Sequence, residues 1–431
     1  MLARARANLH SYAHSCTSAP PALRPEGPPD RRSFYTQHVR PIALILLSTA
    51  LSAAPPARFA EHTVSTGLKG GYQVVAVDMN HDGKLDLVAL ASGMTELVWF
   101  ENPGWQRHVI ASNLPGTTGM INLAAWDVDG DGIPVIVLAS GFSMNAKQST
   151  GIVSVLRHNG DPRQPWTIRE IDRLPASHRL RWADIDGSGK KVLVNQPLTA
   201  ATVDHPEDHA HTPLVFYRPG AWKRETISGQ DEGVVHGIYI VDWDGDGRDQ
   251  ILTAGFTGIH LYKLGQDGRW SRTEIARGDP APWPKSGSSD IAVGQLGKRR
   301  FLAAIEPWHG NQVAIYRESG GAWQRHVIDD SLSDGHTILT ADLNGDGADE
   351  VIAGYRGKGV NVYYAKDAKG AEWAKVPLDN TIAAAACAIA DLNGDGRPDI
   401  ACIGAATANL KWYENLGGRA LAGPPDGAGL N

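Results

Sequence analysis

The stretch VVHGIYIVDWDGDGRDQIL, residues 234–252, reads as strand, acidic turn, strand. Val234–Val241 is β-branched and apolar but for His236, Gly237 and Tyr239. Asp242, Asp244 and Asp246 then alternate with Trp243, Gly245 and Gly247. Carboxylates on alternate residues of a glycine-bent loop are what a hard divalent cation such as calcium requires. The same phrase returns at Asp78 (DMNHDGKLD), Asp127 (DVDGDGIPV), Asp184 (DIDGSGKKV), Asp342 (DLNGDGADE) and Asp391 (DLNGDGRPD). A seventh unit, DIAVGQLGKRRFLAAIEPW at 290–308, keeps two strands but has lost the acids. The units are roughly 50 residues apart, a period that means a repeat architecture.

The strands around each loop predict four per unit. A Trp-led fourth strand recurs at Trp105, Trp166, Trp222, Trp270, Trp323 and Trp373. The last unit along the chain ends after its third strand, LKWYENLG at 410–417, and the missing strand matches RFAEHTV at 58–64, with Phe59 for Trp. The prediction is an all-β, seven-bladed β-propeller over 58–417, closed by its N-terminal strand. Alternation within strands predicts half-buried sheet.

Composition agrees. Hydrophobic content is 42% and charged content 20%, ordinary for a packed soluble domain rather than a disordered chain. A net charge of −6 without a basic block argues against nucleic acid as partner. Residues 1–57 stand apart: Arg-rich, Pro-rich, then PIALILLSTALSAAPPA after Arg40. That is the pattern of a leader and secretion signal, and the apolar run is too short to span a bilayer. The expectation is a secreted or periplasmic chain, off the membrane after cleavage, with a disordered tail at 418–431. Beyond the leader only Cys387 and Cys402 remain. Two cysteines are no disulfide scaffold, so they are expected as small core residues rather than a bridge.

The loops rank as calcium sites by their oxygens. Asp78/Asn80/Asp82/Asp86, Asp342/Asn344/Asp346/Glu350 and Asp391/Asn393/Asp395/Asp399 are complete. The Asp242/Asp244/Asp246 loop ends in Gln250, and the Asp127 and Asp184 loops end in Val135 and Val192. The last two are expected to bind weakly or not at all. Such sites predict structural clips on the blades.

Each loop joins the innermost strand to the second, so the residues six before it gather at the opposite face, around the channel mouth. Around the ring they are Tyr72, Ile121, His178, His236, Ser288, His336 and Ala385. Three histidines in seven is a strong enrichment for a chain with 16 in 431. Three neutral imidazoles with a fourth position open are what catalytic zinc needs, so His178, His236 and His336 are candidate zinc ligands. The second-to-third-strand loops on that face add His205, His209 and His211, then Glu306, Trp308 and His309, then Tyr355 and Arg356. His309, Glu306 and Arg356 are candidate catalytic groups. Arg179, Arg181, Trp308 and Tyr355 are candidate substrate contacts, with Trp308 placed to stack on a sugar face. His81, His108 and His326 lie in a calcium loop or on outer strands and are assigned no chemistry.

These units resemble the FG-GAP or VCBS repeats of extracellular propellers. HRLRWADIDG, VVHGIYIVDWDGDGRDQILTAGFTGI, GSSDIAVGQLGKRRFLAAIEPWHGNQVAIY and GHTILTADLNGDGADEVIAGYRG resemble the propeller of the aldos-2-ulose dehydratase (1,5-anhydro-D-fructose dehydratase) family. The resemblance implies a metal in a loop, a zinc ion at the bottom of the propeller cleft, and elimination of water from a keto-sugar. The cupin domains that follow in that family have no counterpart, so chemistry residing there is not expected. Two functions follow as expectations. One is a zinc-dependent lyase on a keto-sugar, or on a uronate. The other is a non-catalytic calcium-stiffened propeller that binds glycan or protein.

Overall fold

The structure, a computed structural model, describes residues 55–113 and 118–418. The leader and secretion signal expected over 1–57 lie outside the described residues except for 55–57. So does the tail expected from 418, except for Gly418.

Seven four-stranded antiparallel sheets follow one another around an axis. Within blade 1 the strands run Gly71–Val77, Asp86–Ala91, Glu96–Glu101 and Gln106–Ser112 from the axis outward. Blade 7 takes its outer strand from the N-terminal side: Phe59–Thr66 pairs antiparallel with Asn409–Asn415, Phe59 opposite Asn415 and Thr66 opposite Asn409. The only helical segment among the described residues is a short 3-10 turn at Ala146–Gln148.

The second strands are buried throughout rather than on alternate residues, as in Asp86–Ala91, Val135–Ser140 and Asp399–Gly404. Blades stack face to face, so a middle strand meets a neighbouring blade on each side. Strands buried on both faces read as continuous apolar runs. Outer strands such as Thr167–Arg173 keep many residues exposed. The core is accordingly a set of wedges between successive blades. Trp99 and Leu138 share one wedge, Ile251 and Val194 another, Tyr413 and Ile352 a third. Fully burying one such aliphatic or aromatic side chain stabilises by about 1.5–3 kcal/mol.

Polar clamps cross these wedges. A buried tyrosine on the third strand donates its hydroxyl to an acid ending the previous blade's fourth strand: Tyr217 to Asp172 (2.6 Å), Tyr262 to Asp231 (2.8 Å), Tyr363 to Asp329 (2.5 Å) and Tyr413 to Asp379 (2.6 Å). Each acid also holds a cation, namely Arg224, Arg272, Lys375 and Lys411. Where Phe100 and Leu156 replace the tyrosine, in blades 1 and 2, the acid position holds Ser65 and Ala111. In six of the seven wedges tyrosine and acid are present together or absent together; blade 5 is the exception.

Blade 5 explains Glu306. The fourth strand of blade 4, Trp270–Ala276, ends in alanine where the fourth strands of blades 2, 3, 5 and 6 carry the acid. Tyr316 still needs an acceptor, and Glu306 of its own blade provides it. The Glu306 carboxylate is fully buried and also takes hydrogen bonds from Ser288 Oγ (2.5 Å) and Arg325 Nε (2.6 Å). With both oxygens engaged inside the blade, Glu306 is a clamp and not the catalytic acid or base expected from the sequence.

The cysteines also depart from expectation. Cys387 and Cys402 stand directly opposite on neighbouring strands, Cα atoms 4.1 Å apart, and form a disulfide. Directly facing positions of an antiparallel pair bring Cβ atoms within bridging reach, which sequence spacing alone did not reveal.

Two outcomes are expected. Glu306→Gln unfolds earlier by about 3 kcal/mol in chemical denaturation, because it loosens a buried ion pair, while leaving metal content unchanged. For Asp379, burial pushes the carboxyl up, but hydrogen bonds from Lys411, Tyr413 and Thr381 outweigh it and hold the group well below the usual range. A depressed folded pKa contributes stability above the unfolded value and loses it as pH falls. The stability gap between the wild type and Asp379→Asn, about 3 kcal/mol at neutral pH, therefore closes below about pH 4.

Candidate functional site

Side chains from the innermost strands bridge neighbouring blades at the axis. Gln73 donates to Leu123 O (3.0 Å) and accepts from Leu123 N (2.6 Å). Asn122 Oδ1 accepts Leu180 N (2.8 Å), and Asp290 Oδ2 accepts Ile338 N (3.3 Å). These bridges fix which residues are equivalent around the ring. In blade 5 the equivalent of the histidine position is Ser289, one later than the Ser288 expected from the sequence. The loop agrees: Gln295 N bonds Asp349 Oδ2 (2.7 Å) just as Asp184 N bonds Asp249 Oδ2 (2.7 Å). With its acids lost, this loop offered no landmark for the register.

Three imidazoles converge at the channel mouth, and they are His236, His309 and His336. Their ligand atoms lie within 4.8 Å of one another, the only such group of His, Cys, Asp or Glu among the described residues. Ring centroids are 5.0, 5.1 and 5.1 Å apart, nearly equilateral. His336 directs Nδ1 at Ala385 O (2.5 Å), which fixes the proton there and leaves the Nε2 lone pair free. That Nε2 is buried without a partner. His236 turns Nδ1 to Ser289 O and Oγ (both 3.3 Å), so its Nε2 also faces inward. Burial, then neighbouring cations and imidazoles, hold His236 and His336 well below the ordinary histidine range. They are neutral, the state a metal ligand needs.

His309 completes the triangle from a loop. Its backbone φ is 50°, a left-handed conformation uncommon outside glycine. Gly310 follows, where a Cβ would sit 2.2 Å from Glu306 O, so only glycine closes the turn. His309 Nε2 lies 3.4 Å from His236 Nε2. Arg356 donates to its Nδ1 (2.9 Å), and Asp334 pairs with that arginine through two contacts of 2.9 Å. Burial and then Arg356 hold His309 down to about 4, against the pull of Asp334. Arg356 thus touches the site through His309 and serves to orient it.

His178 stands beside the trio rather than in it. Its ring centroid is 4.9 Å from that of His236, but its Nε2 is taken by the Tyr72 hydroxyl (2.8 Å) and by Arg179 Nη1 (3.3 Å). The strand register brought His178 to the right height, while a loop histidine occupies the third corner. Arg179 is buried and also reaches His236 Nε2 through Nη2 (3.2 Å). Below it, Arg181 donates to Leu180 O (2.8 Å) and approaches Asn122 Oδ1 (3.4 Å). Arg179 and Arg181 line a cavity of about 390 Å³ with Tyr72, Gln73, Asp290 and His336.

The mouth is aromatic. Trp308 is partly buried, packs on His309 (centroids 4.8 Å) and Phe256 (5.7 Å), and has its Nε1 buried without a partner. Trp283, which sequence reasoning passed over, stacks on His209 (4.2 Å) and donates to Glu207 O (2.7 Å). Its signal was the long Pro-rich connection DPAPWP between Ala276 and Asp290. Tyr355 is placed elsewhere: it packs in the wedge between blades 5 and 6, over Gly359.

In the acidic loops the first aspartate accepts backbone N–H groups of its own turn, as Asp342 does from Gly345 (2.7 Å) and Gly347 (2.9 Å). Asp78 and Asp391 behave alike. The ninth residue turns inward to brace the loop: Asp86 Oδ2 accepts Met79 N, Glu350 accepts Leu343 N and Asp399 accepts Leu392 N. Gln250 accepts Trp243 N in the same way. An amide therefore braces the loop as a carboxylate does, and Gln250 is no defect in the brace. Asp244 and Asp246 are ion-paired with Lys263 and Arg248, and Asp395 with Arg397. The remaining oxygens, on Asn80, Asp82, Asn344, Asp346 and Asn393, stay at the exposed turn.

Residues 150–319 match the family described as aldos-2-ulose dehydratase, beta-propeller domain, and residues 78–138 and 342–402 match the FG-GAP-like repeat. The first span holds His236, His309 and the two channel arginines. His336 lies between that span and the 342–402 repeat, outside the matched residues. Aldos-2-ulose dehydratase of Phanerodontia chrysosporium is 30% identical over a region covering 59% of this chain and 32% of that protein. The chain thus spans about a third of that relative's length. Among solved structures, virginiamycin B lyase from Staphylococcus aureus is 12% identical with a TM-score of 0.52, covering 83% of this chain and 99% of that one. Saccharomyces cerevisiae Sqt1 is 10% identical with a TM-score of 0.51, covering 79% and 84%. At that identity these two speak for the propeller fold alone. In sequence, residues 150–319 are similar to the aldos-2-ulose dehydratase β-propeller domain, and residues 78–138 and 342–402 to the FG-GAP-like repeat.

Proposed function

We propose that the chain is a metal-dependent carbon–oxygen lyase acting on sugars, with His236, His309 and His336 as the ligands of a zinc ion. The observation that carries this reading is His336 Nε2, a buried lone pair without a partner, aimed at two further neutral imidazoles. Leaving a buried polar atom unpaired costs about 1–3 kcal/mol, and a bound cation removes that cost. His309 fits as a ligand once its Nε2 proton leaves or moves to Nδ1, where Asp334 Oδ1 stands at 3.6 Å.

A zinc ion held by His236, His309 and His336 would supply Lewis acidity toward a sugar oxygen that gains charge. The protein's own groups do the rest. Arg179 lies beside the trio and holds the oxygen that gains charge. His178, left outside the trio with Tyr72 hydrogen-bonded to its Nε2, is the pair placed to move a proton. In the elimination, the proton on the carbon beside the carbonyl departs to that pair. The C–H electrons form the double bond, the β C–O bond breaks, and the leaving hydroxyl takes a proton to become water. Trp308 and Trp283 form a wall on which a sugar face stacks. The Cys387–Cys402 bridge suits a chain that works in an oxidising compartment outside the cytoplasm. The Asp78, Asp342 and Asp391 loops are proposed as calcium clips remote from this chemistry.

Elemental analysis of protein purified without chelator is expected to give about one zinc per chain, with His336→Ala and His236→Ala near zero. Wild type is expected to release an unsaturated product from a keto-sugar such as 1,5-anhydrofructose or from a uronate, and the variants to fall to background. Wild-type protein free of zinc, or variants that keep both zinc and turnover, would sink the reading. Separately, calcium added after chelation is expected to raise the Tm by several degrees, and less so in Asp342→Ala.

A further inference from the structure

We infer that the channel beneath the histidines is a subsite for one carboxylate, and that the sugar acted on is therefore a sugar acid. This rests on the lyase reading above but chooses among its substrates on separate grounds.

The ground is charge. Arg179 and Arg181 lie two residues apart on the innermost strand Ser177–Ala183, so both project to the channel side. Both line the same cavity. Neither guanidinium has a carboxylate within 4.0 Å among the described residues, whereas the arginines in the blade wedges, Arg224, Arg272 and Arg325, each meet one. Asp290 is the one acid lining the cavity, and it faces both arginines at longer range while accepting Ile338 N. Gln73 and Asn122, the amide side chains there, spend their oxygens on Leu123 N and Leu180 N. The histidines are neutral. Two cations against one anion leave the enclosed channel one negative charge short.

Enclosed cations without a counter-charge are costly, and an incoming anion removes that cost. Planar guanidiniums suit a carboxylate, which each can grip with two parallel N–H bonds. Position then links the anion to the chemistry. Arg179 touches His178 Nε2 and His236 Nε2, so a carboxylate held by it lies next to both the trio and the Tyr72–His178 pair. Neutralising a carboxylate acidifies the carbon–hydrogen bond beside it, as a ketone does. For a hexuronate the C5 proton leaves to the Tyr72–His178 pair, C4=C5 forms, and the C4–O bond breaks. The departing oxygen takes up one proton, so the step needs no further reactant.

Calorimetry and turnover would be run on the zinc-loaded full chain with glucuronate and galacturonate oligosaccharides, their methyl esters, and 1,5-anhydrofructose. The acids are expected to bind at least about tenfold more tightly than their esters. Arg181→Gln is expected to abolish that preference with zinc content unchanged, and Arg181→Lys to restore part of it. Equal binding of acid and ester by the wild type, or turnover of the neutral keto-sugar alone, overturns the carboxylate subsite while the lyase reading stands. Acid-selective binding without elimination from any sugar upholds the subsite and sinks the lyase. If Arg181→Gln fails to fold, the acid-against-ester comparison in the wild type decides alone.

Discussion

Face-to-face packing of one blade on the next is the constraint from which the other features follow. A single four-stranded sheet has two apolar faces and no partner of its own. Burying both requires a neighbour on each side, and the only arrangement that gives every blade two neighbours is a closed ring. The pairing of Phe59–Thr66 with Asn409–Asn415 is therefore more than a terminal detail. It makes the outer strand of blade 7 from the far end of the chain, so a break there opens two wedges together.

Ring closure also makes the site. Strands too short and too similar to build a pocket individually become, when gathered at an axis, rows of side chains that meet. His236 and His336 belong to blades 4 and 6, well separated in sequence, and meet because both occupy the same height on an innermost strand. The third corner comes from outside that row. A loop held by Gly310 and oriented by Arg356 and Asp334 carries His309 inward. Repetition thus supplied two corners, and a local departure from repetition supplied the third.

That division marks what was legible in the sequence. The blade count, the closing strand and the level of the histidines followed from spacing, because loop starts are fixed points in a periodic chain. His309 was recognised as chemically interesting but not as a member of the trio, since loop residues have no register to compare. Glu306 misled for the same reason in reverse. Its neighbours in sequence, Trp308 and His309, reach the mouth, but the missing acid of blade 4, visible only as Ala276, turned it inward. The shift of one residue in blade 5 and the Cys387–Cys402 bridge depended on pairings that side-chain contacts define and spacing does not.

The tyrosine clamps carry a last implication. In four of the wedges the acid ends one unit and the tyrosine belongs to the next. The segment that repeats along the chain and the joint that holds the wheel are therefore out of phase by a quarter turn of the pattern. Copying one segment alone would bring an acceptor for the seam ahead and a donor for the seam behind, and neither would arrive with its mate. Growth of such a wheel by duplication favours copying adjacent segments together, and a seam that lacks its acid needs a substitute, which blade 5 draws from its own second strand.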